Sequence, residues 1–168
     1  MVVTESGMVT DRLLSHVMFY ETDDYGKLIA DTDGGMNPYP DLDKKILILE
    51  NAALLMKALG YGRIYASCVC GSEVVSQKIQ ATVDAQMIAG MSERWDKYDM
   101  KVIGPVGLDL AVSPTACRHK GFTAEGCGEA DILLFPTYEV GNSVGKSLTY
   151  FAGARSAGIV LGAKAPIV

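Results

Sequence analysis

Apolar residues along this chain alternate between short continuous runs and helix-spaced runs. The first two runs, Leu13 to Tyr20 and Lys27 to Ala30, are short and flank a polar stretch. Such runs joined by a several-residue loop are typical of a β-hairpin. The pattern therefore predicts two antiparallel strands at the start of the chain.

The most regular helical pattern follows a loop rich in Gly, Pro and Asp. Apolar residues recur there at the spacing of one helix face, at Leu42, Ile46, Leu49, Ala53 and Met56. Asp41 precedes the pattern as a potential N-cap, and Gly60 follows it as a potential stop. We predict a helix between these two residues.

Strands and helices alternate through the rest of the chain. Strands are predicted at residues 63–69, 100–104 and 131–135, and helices at 81–91 and 142–156. In the first of these helices Val83, Met87 and Met91 share one side. In the second, Val144, Leu148, Phe151 and Arg155 share one stripe. The small residues alongside it permit close packing on a sheet; they are Gly145, Thr149, Ala152 and Ser156. Alternation of this kind favours a largely parallel sheet with helices on both faces, so we expect a three-layer α/β unit.

Composition limits the classes of partner. The chain has 168 residues, 49% hydrophobic and 21% charged, which suits one compact domain with a core. Its net charge of -5 argues against nucleic acid as a partner. Residues 1–11 lack the basic start and apolar run of a signal peptide, and no run reaches the ~18 apolar residues of a membrane span. We expect a cytoplasmic protein with no membrane partner and with reduced thiols at its four cysteines.

A glycine-rich segment, Gly141-Asn-Ser-Val-Gly145-Lys146-Ser147, resembles a phosphate-binding P-loop before a helix. Only three residues separate its glycines, where the P-loop needs four to curl its N–H groups around phosphates. A nucleoside triphosphate site is therefore disfavoured. Two interpretations stay open: a helix N-terminus that favours an anion with Asn142 and Lys146, or a glycine turn into a core helix.

Cysteines and histidines offer two further kinds of chemistry. Cys68-x-Cys70 and Cys117-x-His119 provide four potential zinc ligands, but one-residue spacing departs from zinc-knuckle geometry, and we predict no metal. A nucleophilic cysteine paired with a histidine is a weaker hypothesis than buried structural thiols.

The loop at residues 31–41, with sequence DTDGGMNPYPD, has a backbone restricted by proline and glycine and carries carboxylates and an amide. Rigid loops of this kind often bear function. The alternative is an acidic turn that caps the following helix.

Several segments, taken in chain order, carry a family resemblance. They are residues 12–17 (RLLSHV), 33–38 (DGGMNP), 72–85 (SEVVSQKIQATVDA), 104–105, 108–109, 111–113, 119–121, 130–132, 141–142, 146–149, 152–153 and 162–168 (GAKAPIV). Together they resemble the phosphate acetyltransferase and phosphate butyryltransferase family, which transfers an acyl group between coenzyme A and inorganic phosphate. The butyryltransferase branch is the more similar.

The resemblance implies a fold and a missing part. Family members are longer and consist of two α/β domains around a cleft, similar to the isocitrate and isopropylmalate dehydrogenases. By this resemblance, residues 1–32 form a strand hairpin that belongs to the first domain, and residues 33–168 form the second domain. The base expected for the CoA thiol lies beyond Val168, so no catalytic residue is assigned within the chain.

The resemblance also implies substrates and contacts. CoA or acyl-CoA, together with phosphate or acyl phosphate, would be the substrates, with no tightly bound cofactor. The expected substrate-binding residues are Arg12, Ser15, Asp33, Asn37, Asn142 and Lys146. Of these, Arg12 is expected at phosphate or CoA, and Ser15 and Asn37 are expected as polar groups in the cleft.

Alternatives to a complete enzyme remain. The chain is expected to form a homodimer and to depend on a second chain or a further segment for the missing domain. It could instead be a noncatalytic dimerising module, or an acyltransferase-like subunit of a larger complex such as an amino-acid reductase.

Overall fold

A computed structural model describes Gly7 and residues 10–168. The strands are β1 (Ser15–Glu21), β2 (Ile29–Thr32), β3 (Ile64–Val69), β4 (Met100–Val106), β5 (Ile132–Leu134) and β6 (Arg155–Leu161). The helices are α1 (Leu42–Ala58), α2 (Gln80–Ala89), α3 (Ser92–Asp96), α4 (Leu108–Val112), α5 (Pro114–Lys120) and α6 (Tyr138–Phe151). Within the described residues no helix is both long and apolar enough to cross a membrane.

One six-stranded sheet organises these elements, in the order β4-β3-β5-β2-β1-β6. The strands β4, β3, β5 and β2 are parallel to one another, whereas β1 pairs antiparallel with β2 on one side and with β6 on the other. The predicted antiparallel hairpin and the predicted largely parallel sheet are both confirmed.

Two hydrophobic layers, one on each face of the sheet, account for the three-layer architecture. On one face α1, α2 and α3 pack on the sheet around Ile48, Leu49 and Trp95, all at most 1% exposed. On the other face α4 and α5 close a second cluster that contains Leu110 and Phe135, while α6 packs on β1 and β2. The three-layer α/β prediction is therefore confirmed.

Helix α1 matches its sequence signals. The Asp41 side chain accepts a hydrogen bond from the backbone N–H of Lys44 at 2.9 Å, as an N-cap does. The helix ends at Ala58, and Gly60 follows with a φ of +89°, a conformation that favours glycine. The predicted cap and stop are both present.

The prediction for the last helix is wrong at both ends. Helix α6 begins at Tyr138 rather than at residue 142 and ends at Phe151, and Arg155 and Ser156 already belong to β6. Of the predicted small-residue stripe, Gly145 is buried, whereas Phe151 of the neighbouring stripe is 90% exposed. Gly141 and Gly145 are the buried residues of α6 because the helix packs closely on the sheet there.

Other elements also differ from the prediction. Helices α3, α4 and α5 were not predicted, because each is too short to produce a full apolar period. In α2 the sheet-facing residues are Ala85 and Ile88, whereas Met87 is 46% exposed. The assignment of residues 1–32 to a first domain stays a prediction; in this chain β2 pairs directly with β5 in the common sheet.

Candidate functional site

The parallel strands place their carboxyl ends at one edge of the sheet, called here the carboxyl edge. After β3 the chain continues to β4 at one side of the sheet, and after β5 it continues to β6 at the opposite side. The two connections diverge, so a crevice opens outside the carboxyl ends of β3 and β5. In open α/β sheets this switch point is the usual place for a ligand.

Arg12 lies at this edge, just before β1, in a chain of side-chain contacts. Its Nη2 donates a hydrogen bond to Oδ1 of Asn51 at 2.6 Å, and Nδ2 of Asn51 donates to Oγ of Ser15 at 2.9 Å. Arg12 is exposed, but Ser15 is fully buried. Ser15 therefore supports Asn51, which in turn positions the Arg12 guanidinium.

Asp33 follows β2 and organises the loop beside β1. Its Oδ1 accepts hydrogen bonds from the backbone N–H groups of Gly35 at 2.8 Å and Met36 at 2.7 Å. Its Oδ2 accepts from the N–H of His16 at 3.1 Å and from Nδ2 of Asn37 at 2.6 Å. Both oxygens are thus occupied within the protein, and the carboxylate fixes the loop.

Asn37 and Asn51 hold the segment before β1 from two sides. Asn37 Nδ2 donates to the carbonyl of Leu14 and Asn51 Nδ2 donates to the carbonyl of Leu13, each at 2.9 Å. Three predicted site residues, together with Asn51, therefore fix the backbone that carries Arg12. A cleft of about 240 Å³ adjoins them and is lined in part by Arg12, Asn51, Gly162 and Pro166.

A second cleft, of about 440 Å³, lies at the switch point between the N-terminal ends of α1 and α2 and is called here the switch-point cleft. It is lined by Tyr39, Pro40, Asp41, Leu42, Lys45, Gln80, Ala81, Asp84, Met87, Pro136 and Thr137. At its floor Lys45 Nζ donates to Oδ2 of Asp84 at 2.6 Å, with both side chains at most 8% exposed. Gln80 Nε2 donates to the other oxygen of Asp84 at 2.7 Å.

The two predicted residues of α6 have different surroundings. Asn142 Nδ2 donates to the carbonyl of Gly34 at 3.1 Å and so links α6 to the Asp33 loop. Lys146 is exposed and forms no hydrogen bond or ion pair with any described residue. Residues 141–147 lie inside α6 rather than in a loop, so the P-loop and helix-N-terminus interpretations are wrong.

Asp31 is a buried carboxyl that sequence analysis did not single out. It is 2% exposed, and neither of its oxygens has a hydrogen-bond partner. Burial, together with the charge of Asp33, raises its pKa from 3.8 to about 8. Burial and Asp31 also raise the pKa of Tyr20 to about 12.

Two of the cysteine thiols are engaged in internal hydrogen bonds. Cys70 and Cys117 each donate from Sγ to a backbone carbonyl at 3.3 Å, and burial raises the pKa of each to about 11. Burial also lowers the pKa of His16, and no cysteine forms a hydrogen bond with a histidine among the described residues. The nucleophilic pair is therefore not formed. Nor do residues 10–168 contain a cluster of three His, Cys, Asp or Glu side chains that could hold a metal.

Asn51, Lys45, Gln80 and Asp84 were missed from the sequence. A usable signal existed for two of them, because Lys45 and Asn51 are polar residues within the otherwise apolar buried face of α1. Buried polar groups on an apolar helix face require partners, and those partners indicate a site.

Fold and site together define the class: an α/β protein with polar groups and clefts along the carboxyl edge of its sheet. The family model for phosphate acetyl/butaryl transferase matches residues 2–168. The chain belongs to this phosphate acetyl/butyryl transferase family, as the sequence resemblance predicted.

Individual relatives support the same family assignment. The chain is 39% identical over 164 residues to the phosphate butyryltransferase of Clostridium acetobutylicum, covering 98% of this chain and 54% of that protein. It is 36% identical over 163 residues to the phosphate acetyltransferase of Rhizobium meliloti, covering 97% and 52%. The crystal structure of a branched-chain phosphotransacylase from Enterococcus faecalis matches with a TM-score of 0.88 and 34% identity, covering 97% and 58%. The chain thus spans about half the length of these relatives.

Proposed function

We propose that the protein to which these residues belong transfers an acyl group between CoA and inorganic phosphate. Family membership over residues 2–168 is the main support. Arg12, an exposed guanidinium oriented at the carboxyl edge of the sheet, is the site observation that carries the proposal. It suits phosphate or acyl phosphate because guanidinium pairs with phosphate oxygens through two parallel hydrogen bonds.

The reaction requires little covalent chemistry from the protein. The CoA thiolate attacks the carbonyl of an acyl phosphate, a tetrahedral intermediate forms, and phosphate leaves; in the reverse direction phosphate attacks an acyl-CoA. Most of the rate then comes from positioning the reactants and from cationic groups near the developing negative charge. In this proposal Arg12 binds the phosphate, while Ser15, Asp33 and Asn37 position the backbone around it.

The base for the CoA thiol is proposed to lie in a segment outside these 168 residues. Among the described residues at this edge, Asp33 has both oxygens occupied and Asp84 is paired with Lys45. Neither carboxylate is free to accept the thiol proton. The chain alone should therefore bind substrates but turn over slowly. Asn142 and Lys146 remain proposed substrate contacts, supported only by the family resemblance.

The test combines binding and turnover in the purified chain. Isothermal titration with CoA and with phosphate should show binding, and release of free CoA from acetyl-CoA or butyryl-CoA in phosphate buffer should be far below the ~10 s⁻¹ of a typical enzyme. Arg12→Ala should weaken phosphate binding about tenfold, since a charged hydrogen bond contributes about 1.5 kcal/mol or more.

Arg118→Ala is the matched control, because Arg118 is an exposed arginine on α5 whose guanidinium contacts Thr115. An equal loss of phosphate affinity in Arg12→Ala and Arg118→Ala would refute the role of Arg12. Absence of CoA binding in a folded chain would contradict the proposed function. Ordinary turnover by the chain alone would disprove the external base.

We also propose a cytoplasmic homodimer. The support for the dimer is α6, whose Tyr150 and Phe151 are 77% and 90% exposed. Large apolar side chains left in water at one helix end are typical of an interaction surface. The alternative of a noncatalytic dimerising module makes the same structural prediction but requires no CoA binding.

A further inference from the structure

Cys117 and Cys127 lie at the two ends of the connection between α5 and β5. Cys117 belongs to the last turn of α5, and Cys127 precedes the first residue of β5, Ile132. Both are part of the hydrophobic cluster around Leu110 and Phe135, in which Cys117 is 2% exposed and Cys127 is partly buried. This connection lies at the amino end of β5, on the edge of the sheet opposite the carboxyl edge. The two thiols are therefore separate from the candidate substrate site.

The backbone of this connection folds back so that both cysteines contact the same groups. The carbonyl of Leu110 accepts hydrogen bonds from Cys117 Sγ at 3.3 Å and from the N–H of Gly128 at 2.7 Å. Gly128 directly follows Cys127 in the chain. Phe122 links the pair a second time, because its N–H donates to the carbonyl of Cys117 at 2.9 Å and its carbonyl accepts from Cys127 Sγ at 3.3 Å. Two sets of hydrogen bonds thus hold the two cysteines close together.

Two glycines determine the position of Cys127. Gly126 and Gly128, on either side of it, have φ angles of +84° and +77°, a region that favours glycine. A Cβ atom on Gly128 would lie 2.4 Å from the backbone nitrogen of Pro114, the first residue of α5. Only glycine therefore allows the segment that carries Cys127 to pack this closely against α5.

The two thiols also interact directly. Burial, together with a hydrogen bond between the Cys117 and Cys127 side chains, raises the pKa of Cys117 to about 11. A disulfide requires adjacent side chains that point toward each other, and two hydrogen-bonded thiols meet this requirement. Because Cys117 is buried and protonated at neutral pH, the more exposed Cys127 is the thiol that an oxidant reaches first. Its neighbours Phe122 and Ala124 are apolar, which favours a small uncharged oxidant.

From this geometry we infer that Cys117 and Cys127 form a reversible dithiol–disulfide site whose oxidant is a small uncharged disulfide. The oxidised form joins α5 covalently to the segment before β5. A reducing thiol returns the pair to the free form found in this structure. The site does not require the acyl transfer proposed above.

Oxidation proceeds in two thiol–disulfide exchange steps. Cys127 first loses its proton to solvent, and its sulfur attacks one sulfur of the small disulfide, so that a mixed disulfide forms and one small thiolate leaves. Cys117 then loses its proton, and its sulfur attacks that of Cys127, which closes the protein disulfide and expels the second thiolate. Two electrons pass from the protein to the small disulfide, and the two departing thiolates take up the two protons.

The test incubates the folded 168-residue chain with 2-hydroxyethyl disulfide and follows the products by intact mass and peptide mapping. Wild type should lose two hydrogen atoms in mass and yield a cross-link between Cys117 and Cys127, and dithiothreitol should reverse the change. Cys117→Ser should stop at a stable mixed disulfide on Cys127. Cys127→Ser should react at least about tenfold more slowly, since the remaining thiol of the pair is buried.

Cys70→Ser is the matched control, because Cys70 is a buried thiol of the opposite hydrophobic cluster, and this variant should oxidise as wild type does. The fluorescence of the single tryptophan, Trp95, checks that each variant folds. Absence of reaction at Cys127 in folded wild type, or a mixed disulfide there that never resolves, would overturn the inference. Equal oxidation rates in wild type and Cys127→Ser would do the same. A preference for the Cys117–Cys127 cross-link that is no greater in the folded chain than in urea would show that the fold does not create the site.

Discussion

Asp31 gives the sharpest prediction, because its carboxyl is buried on β2 without any hydrogen-bond partner. The backbones of Gly34 and Gly141 pack beside its Oδ1, and neither donates to it. We expect the ionised form of this carboxyl to destabilise the fold, since a charge in such a site lacks both solvation and a counter-ion.

The sign of the pH dependence follows from the two pKa values. In the unfolded chain the carboxyl titrates near 3.8, and in the folded protein near 8. Between these values the folded state binds one more proton than the unfolded state, so the free energy of unfolding falls as pH rises. The contribution of Asp31 to the free energy of unfolding is most favourable below pH 3.8 and is lost progressively up to pH 8.

The full shift of about four pKa units corresponds to about 6 kcal/mol, at about 1.4 kcal/mol per unit. Water entry and local relaxation reduce the penalty at a real site, so about 3 kcal/mol between pH 5 and pH 8 is expected. Asp31→Asn removes the titration while keeping the size of the side chain. The stability of this variant relative to wild type should therefore rise by about 3 kcal/mol over that pH range.

Urea unfolding followed by the fluorescence of Trp95, which is 1% exposed, measures this difference at each pH. The comparison between variant and wild type cancels the titration of the other groups. Asp24→Asn, on the exposed turn between β1 and β2, is the control for loss of a carboxyl. If the free energies of unfolding of Asp31→Asn and wild type differ by the same amount at every pH from 5 to 8, the reasoning about burial is refuted.

Two further predictions concern the floor of the switch-point cleft and the surface of α6. Lys45→Met leaves Asp84 buried without its partner and should lower the free energy of unfolding by about 3 kcal/mol. The double variant Lys45→Met with Asp84→Leu should recover most of this loss. Urea unfolding of both variants measures the effect, and a double variant as unstable as the single one would contradict the ion-pair explanation. Phe151→Ser should shift the chain from dimer to monomer without loss of folding, because Phe151 is 90% exposed. Analytical ultracentrifugation measures the molecular mass of the particle in solution. A dimer mass that is unchanged in the variant would exclude α6 as the interface.

The local elements could be predicted because their signals lie within one turn or one strand. Helix α1 shows this most clearly, since its apolar period, its Asp41 cap and Gly60 are all close in sequence. The same local signals failed for α6 and β6. A run of small and apolar residues through Arg155 continues a helical pattern, and only pairing with β1 makes the later part a strand.

Apolar periodicity was enough to predict β1 to β5, helices α1 and α2 and the three-layer class, and sequence motifs were enough for the family resemblance, because these signals do not depend on distant contacts. Long-range packing, in contrast, controls which polar groups meet. Insertion of β5 between β3 and β2 opens the crevice at the switch point, and the Arg12–Asn51 and Lys45–Asp84 contacts each join residues 39 positions apart. Such contacts depend on strand order and helix packing, which no local pattern of residues specifies.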